Sequence, residues 1–206
     1  MLEKERARRI LDLGCGTGKL ATDLAGRGYS VIGVDINEAA IRRAQARAAE
    51  LFRDPWQTRP RFLVGDAITL ALNEGSFDAV LLQLVISVIG TEEDRKRVLH
   101  RVSALLKPRG ILYLSASGIS EGVNPKYADL YRNDLPLTGE RYSYLSRDPE
   151  TGRILYLTHH FSQGELEGLL QEDFDMEVLR QEKEASSRRP TEPAYFFYII
   201  ARSKPQ

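Results

Sequence analysis

The sequence predicts an α/β fold built on a doubly wound, mostly parallel sheet. In the first half of the chain, short apolar runs alternate with amphipathic segments, as in βαβ units. A glycine-rich turn joins the first apolar run to the first helical segment, and residues 77–84 are almost unbroken in their apolar character. Such a run is typical of a strand that helices cover on both faces of the sheet.

The first half contains five predicted strands, at residues 9–13, 29–34, 61–64, 77–84 and 111–115. Helices are expected between them, at residues 19–27, 38–52 and 91–106. Asn37 is a favourable N-cap for the second helix, and Thr91 with Asp94 resembles a capping box that opens the third. Residues 108–110, Pro-Arg-Gly, are predicted to turn the chain into the fifth strand.

Residues 117–160 interrupt this alternation. Asn124 and Pro125 predict the start of a short helix that ends near Arg132. Two β-prone runs, at 141–145 and 153–157, flank a Pro- and Gly-containing turn and predict a hairpin. Because this stretch is too short to bury a core of its own, we interpret it as an insertion in a single domain that spans residues 1–206.

After the insertion, the alternation of helices and strands resumes. Ser162 with Glu165 predicts a helix to about residue 172, and strands are expected at 174–179 and 194–201.

The composition excludes several classes of partner. Lys plus Arg and Asp plus Glu both number 29, so the net charge is zero, which disfavours a nucleic-acid partner. The single cysteine, Cys15, excludes an internal disulfide and fits a reducing compartment. No apolar run approaches the roughly 20 residues that span a bilayer, and the charged first residues do not resemble a signal peptide. We therefore expect a cytoplasmic protein without a membrane partner.

The glycine-rich turn is the strongest local signal for a ligand. Gly14, Gly16 and Gly18 lie between the first strand and the first helix, where glycines allow close backbone approach and the helix amides point at a ligand. Their spacing is G-x-G-x-G, whereas the dinucleotide fingerprint is G-x-G-x-x-G. The glycines alone leave the identity of the ligand open.

Three aspartates at strand ends narrow the choice of ligand. Asp12, Asp35 and Asp66 follow the first three strands, and open parallel sheets bind ligands beyond the carboxyl ends of their strands. Asp35 suits a dinucleotide or another nucleoside, because a carboxylate there can accept ribose hydroxyls. Asp12 would repel a pyrophosphate and attract an ammonium group. The three together favour a cationic nucleoside without phosphates.

Residues 10–18, 31–35, 65–67 and 105–112 resemble, in this order, the motifs of class I S-adenosylmethionine-dependent methyltransferases. The resemblance covers residues 9 to about 115 and resumes from about 160 to the last strand. It implies a seven-stranded sheet whose last strand is antiparallel, S-adenosylmethionine as cofactor, and methyl transfer by in-line displacement, with oxygen or nitrogen as the favoured acceptor atom. The exit of the fourth strand lacks the Pro-Pro-aromatic sequence of enzymes that methylate nucleobase amines or amide nitrogens, which favours a small-molecule acceptor.

The resemblance also implies specific contacts. The glycine loop would contact the methionine part of the cofactor, with Asp12 binding its ammonium directly or through water. Asp35 would bind the ribose and Asp66 the adenine amine. The predicted cofactor-binding residues are Asp12, Gly14, Cys15, Gly16, Thr17, Gly18, Asp35, Ile36, Asp66, Ala67, Gln83 and Leu84.

Methyl transfer from a sulfonium needs neither a metal nor a covalent nucleophile, and we expect no metal site. A hydroxyl or ammonium acceptor must lose a proton, and His159 and His160 are the candidate general bases. A structural role for this pair, as a capping or turn element, stays open. The insertion is expected to form the acceptor lid, and packing is the alternative role for its tyrosines. The predicted substrate-binding residues are Tyr127, Tyr131, Tyr142 and Tyr144.

Only about eight residues precede the first strand, whereas many relatives carry helices there that cover the cofactor. The cover would come from the insertion, from a partner chain such as the second copy in a homodimer, or from residues that precede this sequence in a longer chain. Three other functions stay open, namely a nicotinamide-dependent oxidoreductase, an aminopropyl transferase and a non-catalytic cofactor-binding protein. The absence of acidic residues from 83 to 90 disfavours the aminopropyl transferase.

Overall fold

The computed structural model describes residue 2 and residues 7–54, 58–69, 71–186 and 189–205. Within these residues it contains nine strands and five α-helices. The strands are β1 (Arg9–Leu13), β2 (Ser30–Asp35), β3 (Arg61–Val64), β4 (Phe77–Gln83), β5 (Leu106–Gly118), β6 (Ser143–Arg147), β7 (Ile154–His159), β8 (Phe174–Ser186) and β9 (Arg189–Ser203). The helices are α1 (Lys19–Gly26), α2 (Glu38–Leu51), α3 (Glu92–Leu105), α4 (Lys126–Thr138) and α5 (Gln163–Leu170).

Seven strands form one sheet in the order β3-β2-β1-β4-β5-β9-β8. The strands from β3 to β5 are parallel to their neighbours, and β9 runs antiparallel to both β5 and β8. This confirms the predicted seven-stranded, mostly parallel sheet with an antiparallel last strand. The strand order reverses at β1 and β4, which is where open sheets of this class bind their ligands.

The predicted helix N-termini are confirmed at three places. The side chains of Asn37, Thr91 and Ser162 each accept a hydrogen bond from the backbone amide three residues later. Each satisfies an amide that the first turn of a helix leaves without an intrahelical partner, which is typically worth about 1 kcal/mol.

Helices cover both faces of the sheet. On β4, Val80 and Leu82 face one cluster with apolar residues of α3 and α5, whereas Ala79 and Leu81 face a second cluster with residues of α1 and α2. Each large side chain buried in this way contributes about 1.5–3 kcal/mol. Burial on both faces explains why the β4 sequence does not alternate between apolar and polar residues.

Four elements, β5, α4, β8 and β9, differ from their predictions. Residues 108–110 do not precede the fifth strand but form an irregularity inside β5, because the pairing with β4 jumps from Leu106 to Ile111 and Arg109 has a φ of 62°. Pro108 lacks the amide that a regular ladder needs, which explains the interruption. Helix α4 continues to Thr138, and β8 and β9 extend well beyond their apolar cores as a long antiparallel pair.

The insertion contains α4 and the predicted hairpin, β6 with β7, as a separate two-stranded sheet. It does bury a small cluster, formed by Tyr127, Tyr131 and Tyr144, but this cluster also includes Ala194 of β9. The insertion therefore packs on the main sheet rather than forming an independent unit. In the described part of the chain, no helix is long and apolar enough to span a membrane.

Candidate functional site

A cleft of about 600 Å³ lies beyond the carboxyl ends of the central strands. Its walls are mostly apolar, and its charged residues are all acidic: Asp35, Asp66 and Asp94 line it, while no Lys or Arg does among the residues described. The complete lining is Leu13, Gly14, Val34, Asp35, Ile36, Gly65, Asp66, Ala67, Ile68, Gln83, Leu84, Val85, Val88, Ile89, Asp94 and Val98.

The glycine loop needs glycine for two different reasons. Gly14, Gly16 and Gly18 have φ values of 77°, 54° and 72°, a region that other residues rarely adopt. At Gly14 there is also no space, because a Cβ would lie 2.2 Å from Cγ2 of Val85, directly after β4. Nothing lies within 4 Å of the corresponding point on Gly16. Of Gly14 and Gly16, therefore, only Gly14 packs tightly against the chain at the exit of β4.

Asp35 fixes the geometry of the loop. Its Oδ2 accepts a hydrogen bond from the amide of Gly16 at 2.8 Å, and its Oδ1 accepts one from the amide of Asn37 at the same distance. The carboxylate is half-buried and lies on the cleft wall. Each carboxylate oxygen has a further lone pair, so Asp35 can still accept hydrogen bonds from a ligand.

Asp12 is buried directly behind the loop. Its residue is 3% exposed, and its Oδ2 has no hydrogen-bond partner. Burial and the negative charge of Asp35 together raise the pKa of Asp12 to about 7, and the amide of Ala21 in α1 partly opposes them. A buried carboxylate without a partner is costly, so this atom is suited to a ligand donor or a bound water.

The remaining predicted contacts lie at the ends of β3 and β4. Asp66 is exposed, and its Oδ1 accepts a hydrogen bond from the amide of Ile68 at 2.7 Å. Leu84 has a φ of 59°, which is strained for leucine, and its amide donates to the carbonyl oxygen of Ser115 on β5 at 3.0 Å. The conformation of Leu84 directs the chain from β4 along the cleft wall.

Not all of the twelve predicted cofactor-binding residues line the cleft. Seven do, and these are Gly14, Asp35, Ile36, Asp66, Ala67, Gln83 and Leu84. The other five, Asp12, Cys15, Gly16, Thr17 and Gly18, belong to the β1 end and the glycine loop without lining the cleft.

Cys15 is one of those five, and its side chain is directed into the protein. A Cβ on Gly33 would lie 2.9 Å from its sulfur. Burial, together with the charges of Asp12 and Asp35, raises the pKa of Cys15 to about 12. The Cys15 side chain does not line the cleft, and its thiol is held in the unreactive protonated form, so a contact of this residue with the cofactor stays a prediction.

One part of the cleft was missed at the sequence level. Val85, Val88 and Ile89 follow β4, and Asp94 with Val98 lies on α3. The available signal was the apolar run 84–89, which continues past the end of the strand into a short 3₁₀ turn at Ile86–Val88. Val88 is 45% exposed on the wall of the cleft.

His160 belongs to an aromatic cluster rather than to the cleft. Its Nδ1 lies 2.6 Å from the hydroxyl of Tyr131, and that hydroxyl also accepts from the amide of Ser120. Burial raises the pKa of Tyr131, so its hydroxyl stays protonated beside the imidazole of His160. The rings of Tyr127 and Tyr144 pack on the same imidazole. We call these four residues, Tyr127, Tyr131, Tyr144 and His160, the tyrosine cluster.

His159 points to the opposite side, as expected for neighbours on a strand. Its Nε2 lies 2.8 Å from Oε1 of Glu165, and its Nδ1 lies 2.8 Å from Oγ of Ser143. Arg95 is fully buried and forms a bidentate ion pair with Glu140 at 2.7 and 2.8 Å. We call these five residues the Arg95 network.

The same network bears on the expected absence of a metal. Glu140, His159 and Glu165 place one potential ligand atom each within 4.8 Å of one another. However, Arg95 already neutralises Glu140 and lies 3.9 Å from Glu165. Burial alone would raise the pKa of Glu140, but hydrogen bonds from Arg95 and Ser143 outweigh it and lower the pKa. The group is satisfied as an ion-pair network.

These contacts place the histidines and tyrosines in interior networks, and their predicted catalytic and substrate-binding roles stay predictions. Neither His159 nor His160 lines the cleft, because both of the assigned imidazole hydrogen-bond networks are internal. The four tyrosines do not line it either: Tyr127, Tyr131 and Tyr144 are buried against one another, and Tyr142 packs edge-on against Tyr131. Their aromatic surface stabilises the insertion.

Comparison with known proteins agrees with the cleft geometry. A family model described as a methyltransferase domain matches residues 10–110. A solved structure from Methanosarcina mazei, described as a SAM-dependent methyltransferase, superposes with a TM-score of 0.87 at 34% identity, and the match covers 96% of this chain and 93% of that one.

Two curated enzymes are also similar to this chain. An arsenite methyltransferase of Aquipseudomonas alcaligenes is 33% identical over 64% of this chain and 38% of its own length. A demethylmenaquinone methyltransferase of Lactococcus lactis is 30% identical over 65% of this chain and 52% of its own length. The chain thus spans about two fifths to one half of the curated relatives that it matches.

Proposed function

This chain belongs to the S-adenosylmethionine-dependent methyltransferases, an enzyme family whose cofactor is S-adenosylmethionine, and we propose that it methylates a small-molecule acceptor. The observation that carries the proposal is the charge of the cleft. Its three lining aspartates, with Asp12 behind them, suit a nucleoside that carries positive charge and no phosphate.

The residues present fit this cofactor. Oδ2 of Asp12 is a buried acceptor without a partner, which matches the need of an ammonium group or of a water that bridges to it. A pyrophosphate would instead meet Asp35 and Asp66 without a compensating lysine or arginine in the described lining. The electrostatics therefore favour S-adenosylmethionine over a nicotinamide dinucleotide.

We assign the following roles in binding. Asp35 accepts hydrogen bonds from the ribose hydroxyls, and it is held for this by the amides of Gly16 and Asn37. Asp66 accepts from the adenine amine, and the exposed apolar side chains of Ile36 and Val88 cover the adenine ring. Gly14 lets the backbone approach the methionine part.

Catalysis requires little beyond position. The bound cofactor supplies a methyl group on a sulfonium, which is already activated for in-line displacement. The protein must hold the acceptor atom in line and exclude water, and such positioning can supply up to roughly 7–11 kcal/mol of the barrier. Gln83 and Leu84 at the β4 exit border this end of the cleft, and the strained Leu84 is fixed by Ser115.

The insertion, residues 117–160, is proposed as the lid that completes the acceptor site. Strand β7 packs against the Ile86–Val88 turn, which contributes Val88 to the cleft wall. The side chain of Ser87 in that turn accepts a hydrogen bond from the amide of Ser117, at the start of the insertion. A movement of the insertion would thus reach the cleft through this turn.

A small-molecule acceptor is supported by the similar enzymes. Their names describe methylation of arsenite and of demethylmenaquinone, which are both small molecules. The zero net charge of this chain also disfavours a nucleic-acid acceptor.

The proposal is tested by incubating the purified protein with methyl-labelled S-adenosylmethionine and a metabolite extract. We expect one or a few small compounds to gain the label, and the Asp35→Ala variant to transfer none. Calorimetric titration with S-adenosylmethionine and with NAD⁺ supplies the second measurement. Tight binding of NAD⁺ without binding of S-adenosylmethionine would overturn the assignment.

A further inference from the structure

Asp12 is the exception among the buried acidic groups of this protein. It is almost fully buried, and its Oδ2 has no hydrogen-bond partner. The other buried aspartate, Asp134, is paired with Arg147, whose guanidinium lowers the pKa of Asp134. Asp12 has no such cation among the described residues that shift its pKa.

The groups that face Asp12 come from each neighbouring element. Helix α1 contributes the amide of Ala21, and β2 contributes the carboxylate of Asp35. The glycine loop contributes the neutral thiol of Cys15. Only the amide favours the charged form of Asp12, and burial with the charge of Asp35 outweighs it.

We propose that Asp12 carries a proton in the ligand-free protein and releases it when the ammonium group of S-adenosylmethionine binds. This inference rests on the proposed function. The carboxylic acid becomes a carboxylate, the proton passes to the solvent, and the new carboxylate is neutralised by the ammonium, directly or through one water. Cofactor binding is thereby coupled to pH.

The sign of the coupling follows from the two states. Without ligand, the pKa of Asp12 is about 7, whereas an adjacent cation lowers the pKa of a carboxyl. Below pH 7, binding must therefore expel a proton, and the affinity falls as the pH falls, by up to about tenfold per pH unit. A free α-amino group has a pKa of about 7.7–8.0, so the ligand loses its own charge above pH 8. The affinity should be greatest between pH 7 and 8.

Isothermal titration calorimetry measures this release directly. S-adenosylmethionine is titrated into the full chain from pH 5.5 to 8.5, in buffer pairs that differ in their enthalpy of protonation. We expect about half a proton released per site at pH 7, and nearly one at pH 5.5 to 6.

Two related ligands identify the group responsible. S-adenosylhomocysteine keeps the ammonium but not the sulfonium and should release the same proton. 5′-Methylthioadenosine has neither the amino-acid part nor the sulfonium, so it should bind without proton release. Release with 5′-methylthioadenosine would contradict the assignment to the ammonium.

The Asp12→Asn variant removes the titrating group and should bind S-adenosylmethionine more weakly, with no proton release. Asp23→Asn, on the exposed face of α1, is the matched control and should retain the release. Binding without release in the native protein refutes this inference alone, even if the Asn variant fails to fold. Failure of all three ligands to bind at any pH refutes the proposed function instead.

Discussion

Two regions of this protein contain buried or half-buried acidic side chains, and the negative charge is compensated in one region but not in the other. In the Arg95 network, Glu140 and Glu165 meet Arg95 and the imidazole of His159 at hydrogen-bond or ion-pair distances. At the glycine loop, burial and the negative charge of Asp35 raise the pKa of Asp12, and no side-chain cation compensates Asp12 in the described residues. A fold balances charges that serve its own stability, so the imbalance indicates where a charged ligand belongs.

The two histidines that the sequence suggests as candidate general bases both lie in interior polar networks. A histidine pair near the end of a strand is a reasonable candidate for a general base. Here, however, Nδ1 of His160 lies 2.6 Å from the hydroxyl of Tyr131, and Nε2 of His159 faces the carboxylate of Glu165. Satisfied polar groups in the interior are typical of a structural role, whereas the unsatisfied oxygen of Asp12 supports its proposed role in binding the cofactor.

We expect the largest effect on stability from the removal of Arg95. In an Arg95→Met variant, Glu140 and Glu165 lose their buried counter-charge, and we expect the free energy of unfolding to fall by about 3–5 kcal/mol. Urea denaturation measures this. The affinity for S-adenosylmethionine, measured at low temperature where the variant is folded, should change little.

Arg97 provides the matched control on the same helix. It pairs with Asp94 at 3.1 Å, but its side chain is 57% exposed, and such exposed pairs contribute only about 0–1 kcal/mol. Arg97→Met should therefore unfold like the native protein. Equal destabilisation by the two variants would show that burial of the charge is not what matters.

The glycine loop should respond in the reverse manner. In Gly14→Ala, the new Cβ meets Val85 at 2.2 Å and displaces the loop from the cleft wall. If two cofactor hydrogen bonds of about 1.5 kcal/mol each are lost, the affinity falls about a hundredfold. Calorimetric titration with S-adenosylhomocysteine tests this, because that ligand requires no acceptor.

Gly16→Ala separates strain from steric conflict. Its φ of 54° is also unfavourable for alanine, but the Cβ meets nothing within 4 Å. We expect a stability loss of about 1–2 kcal/mol and an affinity close to native. If Gly16→Ala abolished binding as strongly as Gly14→Ala, the backbone angle would be the requirement rather than the contact with Val85.

The tyrosine cluster yields a smaller effect, on stability only. Tyr131→Phe leaves the buried amide of Ser120 and Nδ1 of His160 without a partner, which costs about 1–3 kcal/mol. Thermal unfolding measures the loss, with Tyr156→Phe in the half-buried part of β7 for comparison. Cofactor affinity should be unchanged in both. A lower cofactor affinity at native stability would indicate that Tyr131 contributes to ligand binding.

Much of the fold was predictable because its determinants are local. The apolar pattern predicted the strands of the parallel half. Single side chains such as Asn37 and Ser162 predicted helix starts, because each accepts a hydrogen bond from an amide only three residues later. The lengths of β8 and β9 were not predictable, since their exposed continuation is polar and is defined by pairing with each other rather than by burial.

The site was predictable to the extent that topology alone dictates it. Asp35 and Asp66 lie at the cleft because parallel strands end at one edge of the sheet. By contrast, Arg95 and Glu140 are 45 residues apart, and no local sequence pattern predicts that they form an ion pair. The surroundings of His159 depend on that long-range pairing, so the sequence alone could not predict that this histidine contacts Glu165.

The smallest predicted effect concerns Asp66. It tests whether an exposed carboxylate at the rim of the cleft contributes less to cofactor binding than the buried Asp12. The carboxylate of Asp66 is solvated and already accepts a hydrogen bond from the amide of Ile68. A further hydrogen bond from a ligand therefore adds little to the free energy of binding. Asp66→Ala should therefore weaken S-adenosylmethionine binding only about tenfold, the equivalent of 1.4 kcal/mol, and leave unfolding unchanged. S-inosylhomocysteine, in which oxygen replaces the adenine amine, supplies the control, because it offers no donor there and should bind the variant and the native protein alike. A tenfold loss for both ligands would assign Asp66 to the shape of the loop rather than to the adenine amine.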